Sequence, residues 1–214
     1  MTLALTLALA VPAALPGRAA AQDPTAVLAR ADRALAALTT LRAGFTQQVV
    51  NPALERTSTG RGTLSYRAPD RFRIAYADPA GDVVVNDGRR VWIYLPSAQP
   101  GQVIRQPAAE SGVANPLTYL RDLRGQYTAR LVGAGTVAGQ RADHLALVPR
   151  SAAAPFAGLD IWIDRATGLT RQVRTVVAGG VTTTYTFTAW TPGAALRDDV
   201  FRFRIPRGVE VFDQ

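Results

Sequence analysis

Hydrophobic and polar positions alternate along most of this chain in short runs separated by turn residues. Gly62–Tyr66 alternates, Ala68-Pro69-Asp70 breaks the run, and Phe72, Ile74 and Tyr76 then fall in phase. Asp78-Pro79-Ala80-Gly81 leads into a hairpin whose arms are Val83–Val85 and Val91–Leu95, joined across the turn signal Asn86-Asp87-Gly88. The second arm puts Trp92 and Tyr94 on one face and Val91, Ile93 and Leu95 on the other. A strand apolar on both faces must be covered on both. Further strands are predicted at Tyr127–Val132, His144–Val148, Leu159–Asp164, Leu169–Val177, Val181–Trp190 and Phe201–Ile205. Arg165-Ala166-Thr167-Gly168 and Ala178-Gly179-Gly180 supply turns. Strands so regularly spaced, with short turns and no crossover helices, predict an antiparallel sheet or barrel around an apolar interior.

Helical spacing interrupts this pattern twice. Asp23-Pro24 reads as an N-cap followed by Pro at the first helical position. Val27, Ala31, Ala34, Leu35, Leu38 and Leu41 then predict an amphipathic helix of about five turns that packs one stripe on the sheet. The second interruption, about 97–124, is an insertion. Gln99 to Gly112 is rich in Pro, Gly, Ala and Ser, and Asn115-Pro116 opens a short helix through Leu117, Tyr119, Leu120 and Leu123. Such an insertion reads either as a lid over one mouth of the sheet or as a permanent plug. Upstream, Leu3 to Leu15 is apolar and leads through Pro16-Gly17-Arg18 to the small residues Ala19-Ala20-Ala21. That is a secretory signal pattern over 1–21, with a mature domain over 22–214. No Lys or Arg precedes the apolar run, a departure from the usual signal pattern that leaves the exact start codon and cleavage site open.

Composition narrows the chemistry. Cysteine is absent, so disulfides, thiolate metal sites and a lipid-attachment residue are excluded, and the exported chain is expected to be soluble. The net charge of +8 comes from arginine alone, and the arginines are scattered. A nucleic-acid footprint would cluster them among aromatics; an anionic membrane surface or an acidic partner fits better. His144 is the only histidine and reads as an ordinary surface or edge residue. Asp160 and Asp164 share a strand face but stand about 13 Å apart, too far for paired acid–base work. Asp164 reads as a turn residue, and Asp198-Asp199 precede the last predicted strand. Gly133-Ala134-Gly135 with Gly139 lacks the spacing of a nucleotide loop and reads as a β-turn region. No catalytic constellation, metal site or cofactor is predicted.

Several motifs in order carry a resemblance. They are Phe45-Thr46-Gln47, Gly62-Thr63-Leu64, Pro69-Asp70-Arg71-Phe72-Arg73-Ile74-Ala75-Tyr76, Trp92-Ile93-Tyr94-Leu95-Pro96 with Gln102-Val103, Asn115-Pro116-Leu117, and Phe201-Arg202-Phe203 before Pro206-Arg207-Gly208-Val209. In this order the chain resembles the periplasmic outer-membrane lipoprotein carrier family, LolA. The resemblance implies a mainly β fold: an incomplete antiparallel barrel covered by an N-terminal helix and a helical lid, enclosing an apolar cavity. It implies a monomeric, non-enzymatic carrier in the periplasm. Its partners would be acylated lipoproteins, an inner-membrane lipoprotein-releasing ABC transporter and an outer-membrane receptor or acceptor. A lipid- or lipoprotein-sensing module on the same fold, or a carrier of another lipid, is the alternative. Candidate cavity residues are Phe72, Ile74, Trp92, Tyr94, Leu117, Leu120 and Trp162; alternation leaves open which strand face points inward. In the family an Arg before the Pro ahead of the Phe-x-x-Tyr strand latches the lid. Here that position is Ala68, which leaves Arg67, Arg71 and Arg73 as latch candidates.

Overall fold

The computed structural model describes residues 23–108, 120–152, 154 and 156–214. The expected signal peptide and most of the second helix, Leu117 included, lie outside the described residues. One twelve-stranded sheet dominates, in the order β12-β6-β5-β4-β3-β2-β1-β11-β10-β9-β8-β7. Its strands are β1 Thr40–Asn51, β2 Arg56–Arg67, β3 Arg71–Asp78, β4 Ala80–Asn86, β5 Arg90–Tyr94, β6 Gln102–Pro107, β7 Tyr127–Val137, β8 Gln140–Pro149, β9 Gly158–Asp164, β10 Thr170–Val176, β11 Thr182–Pro192 and β12 Glu210–Asp213. All neighbours pair antiparallel except β12 and β6, which run parallel. The two edges, β12 and β7, do not pair with each other, so the barrel is incomplete.

Helix α1, Pro24–Ala36, is capped by the Asp23 side chain, which accepts from the Thr25 N–H at 2.9 Å. It is shorter than expected. Leu38 and Leu41 continue the spacing, yet Thr39 and Thr40 are β-branched and favour the strand, and Leu41 is already an inward residue of β1 opposite Tyr66. One contiguous core joins Val27, Leu28 and Ala31 of α1 to Phe45, Leu64 and Ile74 from one half of the sheet. The same core takes in Leu145, Ile161 and Val173 from the other half. A sheet whose two halves bury one helix between them must curve around it. Asp143, fully buried on β8, anchors the helix by accepting from Arg30 of α1 and from Arg165.

Three strand expectations are corrected. Gln102–Pro107 is a strand, inside the segment read as an insertion, because Val103 and Ile104 have two faces to fill. Gly133-Ala134-Gly135 lies within β7, and the turn comes later, at Ala138-Gly139. Phe201–Ile205 pairs with no strand; it runs over the convex face of the sheet, where Phe203 meets Trp92 and the Arg67 guanidinium lies over Phe201. This segment answers the demand raised by the two-faced hairpin: Phe203 stacks on Trp92 at 5.5 Å and contacts Tyr94 at 6.0 Å.

Candidate functional site: the concave face and its mouth

Strand register settles which side chains share the interior. Leu41 stands opposite Tyr66, Tyr66 opposite Phe72, Phe72 opposite Asn86, and Asn86 opposite Val91. Ile74 therefore joins Leu64, Val84 and Ile93 on the concave face. Phe72 and Ile74 are almost fully buried there. Trp92 faces the other way, level with Val85 and Arg105, and Tyr94 stands level with Val83 on that same convex side. Trp162 is convex as well, stacked 4.1 Å from the His144 ring, which contacts Asp160 at 2.7 Å. The expectation that these three share a cavity with Phe72 is thus corrected. The period of two puts Trp92 outside because its neighbour Ile93 packs against the core on the concave side.

One end of the concave face is closed by a polar plug. Gln47 donates to the Tyr185 hydroxyl at 2.7 Å and accepts from Tyr76 at 3.1 Å. Phe45 packs edge-on to Tyr76 at 5.2 Å. Burial raises the Tyr76 hydroxyl above its ordinary value, so this plug stays neutral through the physiological range. Between plug and mouth, Ile93, Leu95, Ala108, Ala129, Leu131 and Trp190 are apolar, packed on the core and only partly buried.

The other end is a mouth. A cavity of about 340 Å3 opens there between Leu35 and Ala36 of α1, Leu38 just after it, Tyr66 and Pro69 at the β2–β3 turn, and Leu120 and Arg121. Leu120 is buried and leads into the short helix α2, Leu123–Gln126. Asp32 of α1 holds that helix, accepting from the Leu123 N–H at 2.7 Å and from Arg124 at 3.1 Å. Arg121 reaches across the mouth. Its guanidinium donates to the Pro69 carbonyl, to Asp70 and, at 3.1 Å, to the Tyr66 hydroxyl. Tyr66 in turn donates to the Pro69 carbonyl at 2.9 Å. Burial raises its hydroxyl pKa while Arg121 opposes the rise.

None of the three latch candidates is at this mouth. Arg67 donates to Asp198 and to the Leu196 carbonyl and lies over Phe201; Arg71 is 3.8 Å from Asp198. Arg73 is on the same convex side, opposite Val85. All three stand on the convex side because odd-numbered positions here point outward, and Arg67 and Arg71 reach the C-terminal segment there. Arg121 was missed, since nothing local in Tyr119-Leu120-Arg121-Asp122 marks a contact fifty residues back. Among the described residues no group of His, Cys, Asp or Glu could hold a metal, and no helix is long and apolar enough to cross a membrane.

A family model described as "Outer membrane lipoprotein carrier protein LolA" matches residues 36–204. An outer-membrane lipoprotein carrier protein of Haemophilus ducreyi is 29% identical over 187 residues, covering 87% of this chain and 85% of its own. One from Methylibium petroleiphilum is 29% identical over 181 residues, covering 84% and 86%. Among solved structures, an uncharacterised conserved protein from Thermus thermophilus has a TM-score of 0.58 at 18% identity, covering 90% of this chain and all of that one. A crystal structure of MucB has a TM-score of 0.53 at 24% identity, covering 86% of this chain; the chain spans only 64% of MucB. At these identities the two structures speak to the fold alone. The family match, over most of the chain, is decisive: this protein belongs to the LolA family of outer-membrane lipoprotein carrier proteins.

Proposed function

We propose that this chain carries acylated lipoproteins through the periplasm, from an inner-membrane lipoprotein-releasing ABC transporter to an outer-membrane acceptor. In this reading residues 1–21 are the export signal, and the mature monomer holds the acyl chains on its concave face. They enter past Leu120 at the Tyr66–Arg121 mouth. The observation that carries it is the partly exposed apolar floor: Ile93, Leu95, Ala108 and Leu131 are packed on the core yet only partly buried. Burying an acyl chain stabilises a complex by about 0.8 kcal/mol per CH2. A carrier must still release it. A movable segment that exchanges its own apolar contacts for those of the ligand lowers the cost of release, because it shields part of the floor from water as the ligand leaves. Arg121 fits the role of latch, since its donors can leave the Pro69 carbonyl without unfolding either partner.

The test is a release assay. Mature protein is added to spheroplasts making a labelled triacylated lipoprotein, with the inner-membrane transporter of the same organism present. A soluble one-to-one complex is expected with the natural chain and is expected to be lost in Ile93→Asp and Leu131→Asp, while both variants keep cooperative unfolding. No complex with the natural chain would move the reading to a lipid-sensing module or a carrier of another lipid.

A further inference from the structure

The convex side of the sheet bears a second concavity that acyl binding does not use. A cleft of about 610 Å3 lies between β3–β5 and the extended C-terminal segment. Arg73, Val83 and Tyr94 line it from the sheet, and Asp199, Arg202 and Arg204 from the segment. Neither Arg73, Arg204 nor the Tyr94 hydroxyl has a hydrogen-bond or ion-pair partner among the described residues. Asp199 is engaged by Arg197 at 2.8 Å, and Asp198, the acidic neighbour of Arg202, is already held by Arg67. Three arginines therefore line a space whose one carboxylate is occupied. Arg73 is partly desolvated, and burial lowers its pKa. A partly buried cation without a counter-ion is unfavourable, and an anion entering the cleft relieves it.

We propose that this cleft binds the phosphate of an anionic phospholipid headgroup and seats the protein against a membrane surface. A planar carboxylate is satisfied by one guanidinium fork. A tetrahedral phosphate accepts from several directions at once, as these arginines offer from floor and wall. Tyr94 adds a hydroxyl. The rest of the lining, Val83, Phe203 and Pro206, is apolar and suits the glycerol and first methylenes attached to the phosphate. The net charge of +8 draws the molecule towards anionic lipid from a distance, and the cleft supplies the short-range contact.

The experiment uses cargo-free mature protein, so that it stands or falls independently of acyl carriage. Binding is measured by co-sedimentation with phosphatidylcholine vesicles, with and without phosphatidylglycerol, for the natural chain, Arg73→Gln, Arg204→Gln and Arg130→Gln. Arg130 is exposed on the edge strand β7 and serves as an equal change in net charge. Glycerol phosphate, inorganic phosphate and oligoglutamate are added as competitors. Arg73→Gln and Arg204→Gln are each expected to weaken binding to phosphatidylglycerol vesicles by about tenfold, the loss of one charge-assisted hydrogen bond. Arg130→Gln is expected to change it by less than about twofold, and glycerol phosphate should compete. Equal losses in all three variants would mean diffuse attraction and overturn the site. Binding of inorganic phosphate without vesicle binding would overturn the headgroup, and oligoglutamate as the strongest competitor would replace it with an acidic protein partner. Two variants from opposite walls keep the test valid if one of them folds poorly, and circular dichroism melts of each show whether it does.

Discussion

Arg121 and Arg67 are both arginines beside the β2–β3 turn, yet they do different work because they lie on opposite faces of the sheet. Arg121 bridges the mouth to Pro69, Asp70 and Tyr66, whereas Arg67 holds the C-terminal segment through Asp198 and the Leu196 carbonyl. Arg121→Gln is expected to speed uptake of a fluorescent acyl probe severalfold. It should lower stability by less than about 1 kcal/mol, since the pair is half exposed. Arg67→Gln is expected to leave uptake unchanged; stopped-flow fluorescence compares the two. Asp198 adds a pH dependence. The Arg67 hydrogen bond, followed by its charge and that of Arg71, holds this carboxyl below the usual carboxylate range. The folded pKa is depressed, so the stabilisation is complete above the unfolded value of about 3.9. It fades as pH falls through the lower, folded value. Hydrogen exchange of residues 196–209 should accelerate on acidification below that range, and Arg67→Gln should already exchange fast at neutral pH.

At the scale of elements, Gly62 marks a point on β2 where the neighbouring strands leave no room for a side chain. A Cβ built there would stand 2.1 Å from the Ala75 carbonyl oxygen and 2.9 Å from the Phe45 ring. The bare backbone lets Phe45 meet Tyr76 edge-on across the strand, and the β2–β3 register shifts at this point. Gly62→Ala is expected to destabilise the fold by about 2 kcal/mol or more through overpacking, as measured by denaturant unfolding. The β4–β5 turn is held differently. Burial pushes the Asp87 carboxyl up, but the N–H groups of Arg90 and Arg89 and the Trp92 indole bring it below its ordinary value. Asn86 accepts from Gly88, whose φ of 96° only glycine adopts readily. The turn thus carries its own cap and orients Trp92 towards the convex side.

The whole molecule is a sheet used on both faces. Helix α1 and the residues from Leu120 onward cover part of the concave face, and the C-terminal segment covers the convex face of β3–β6. Phe203 is the residue that joins this segment to Trp92 and Tyr94. Phe203→Ala is expected to cost about 2 kcal/mol from lost burial and ring contacts. Acyl uptake should be unchanged, because the concave face is untouched. Unfolding curves and the probe assay check the two halves of this statement. Phe72, by contrast, is 3% exposed within the core, so its replacement by a charge reports on folding more than on cargo.

Local chemistry in the sequence determined a great deal. The Asp23 cap, the Asn86-Asp87-Gly88 turn, the Asp164 turn and most strand positions follow from side-chain hydrogen bonding and a period of two, which are properties of neighbouring residues. Asp164, as expected, accepts from the N–H groups of Ala166 and Thr167. The need to cover Trp92 and Tyr94 on one side and Ile93 on the other was equally legible. Tertiary structure decided which face turned inward, and so removed Trp92, Tyr94 and Trp162 from the interior and sent Arg67, Arg71 and Arg73 to the convex side. It also ended α1 before Leu38 and brought Arg121 to Pro69. Alternation is symmetric between the two faces, and the spacing of Leu35, Leu38 and Leu41 suits a helix as well as a helix followed by a strand. Only the curvature of the sheet around α1, a property of all its strands together, breaks those ties.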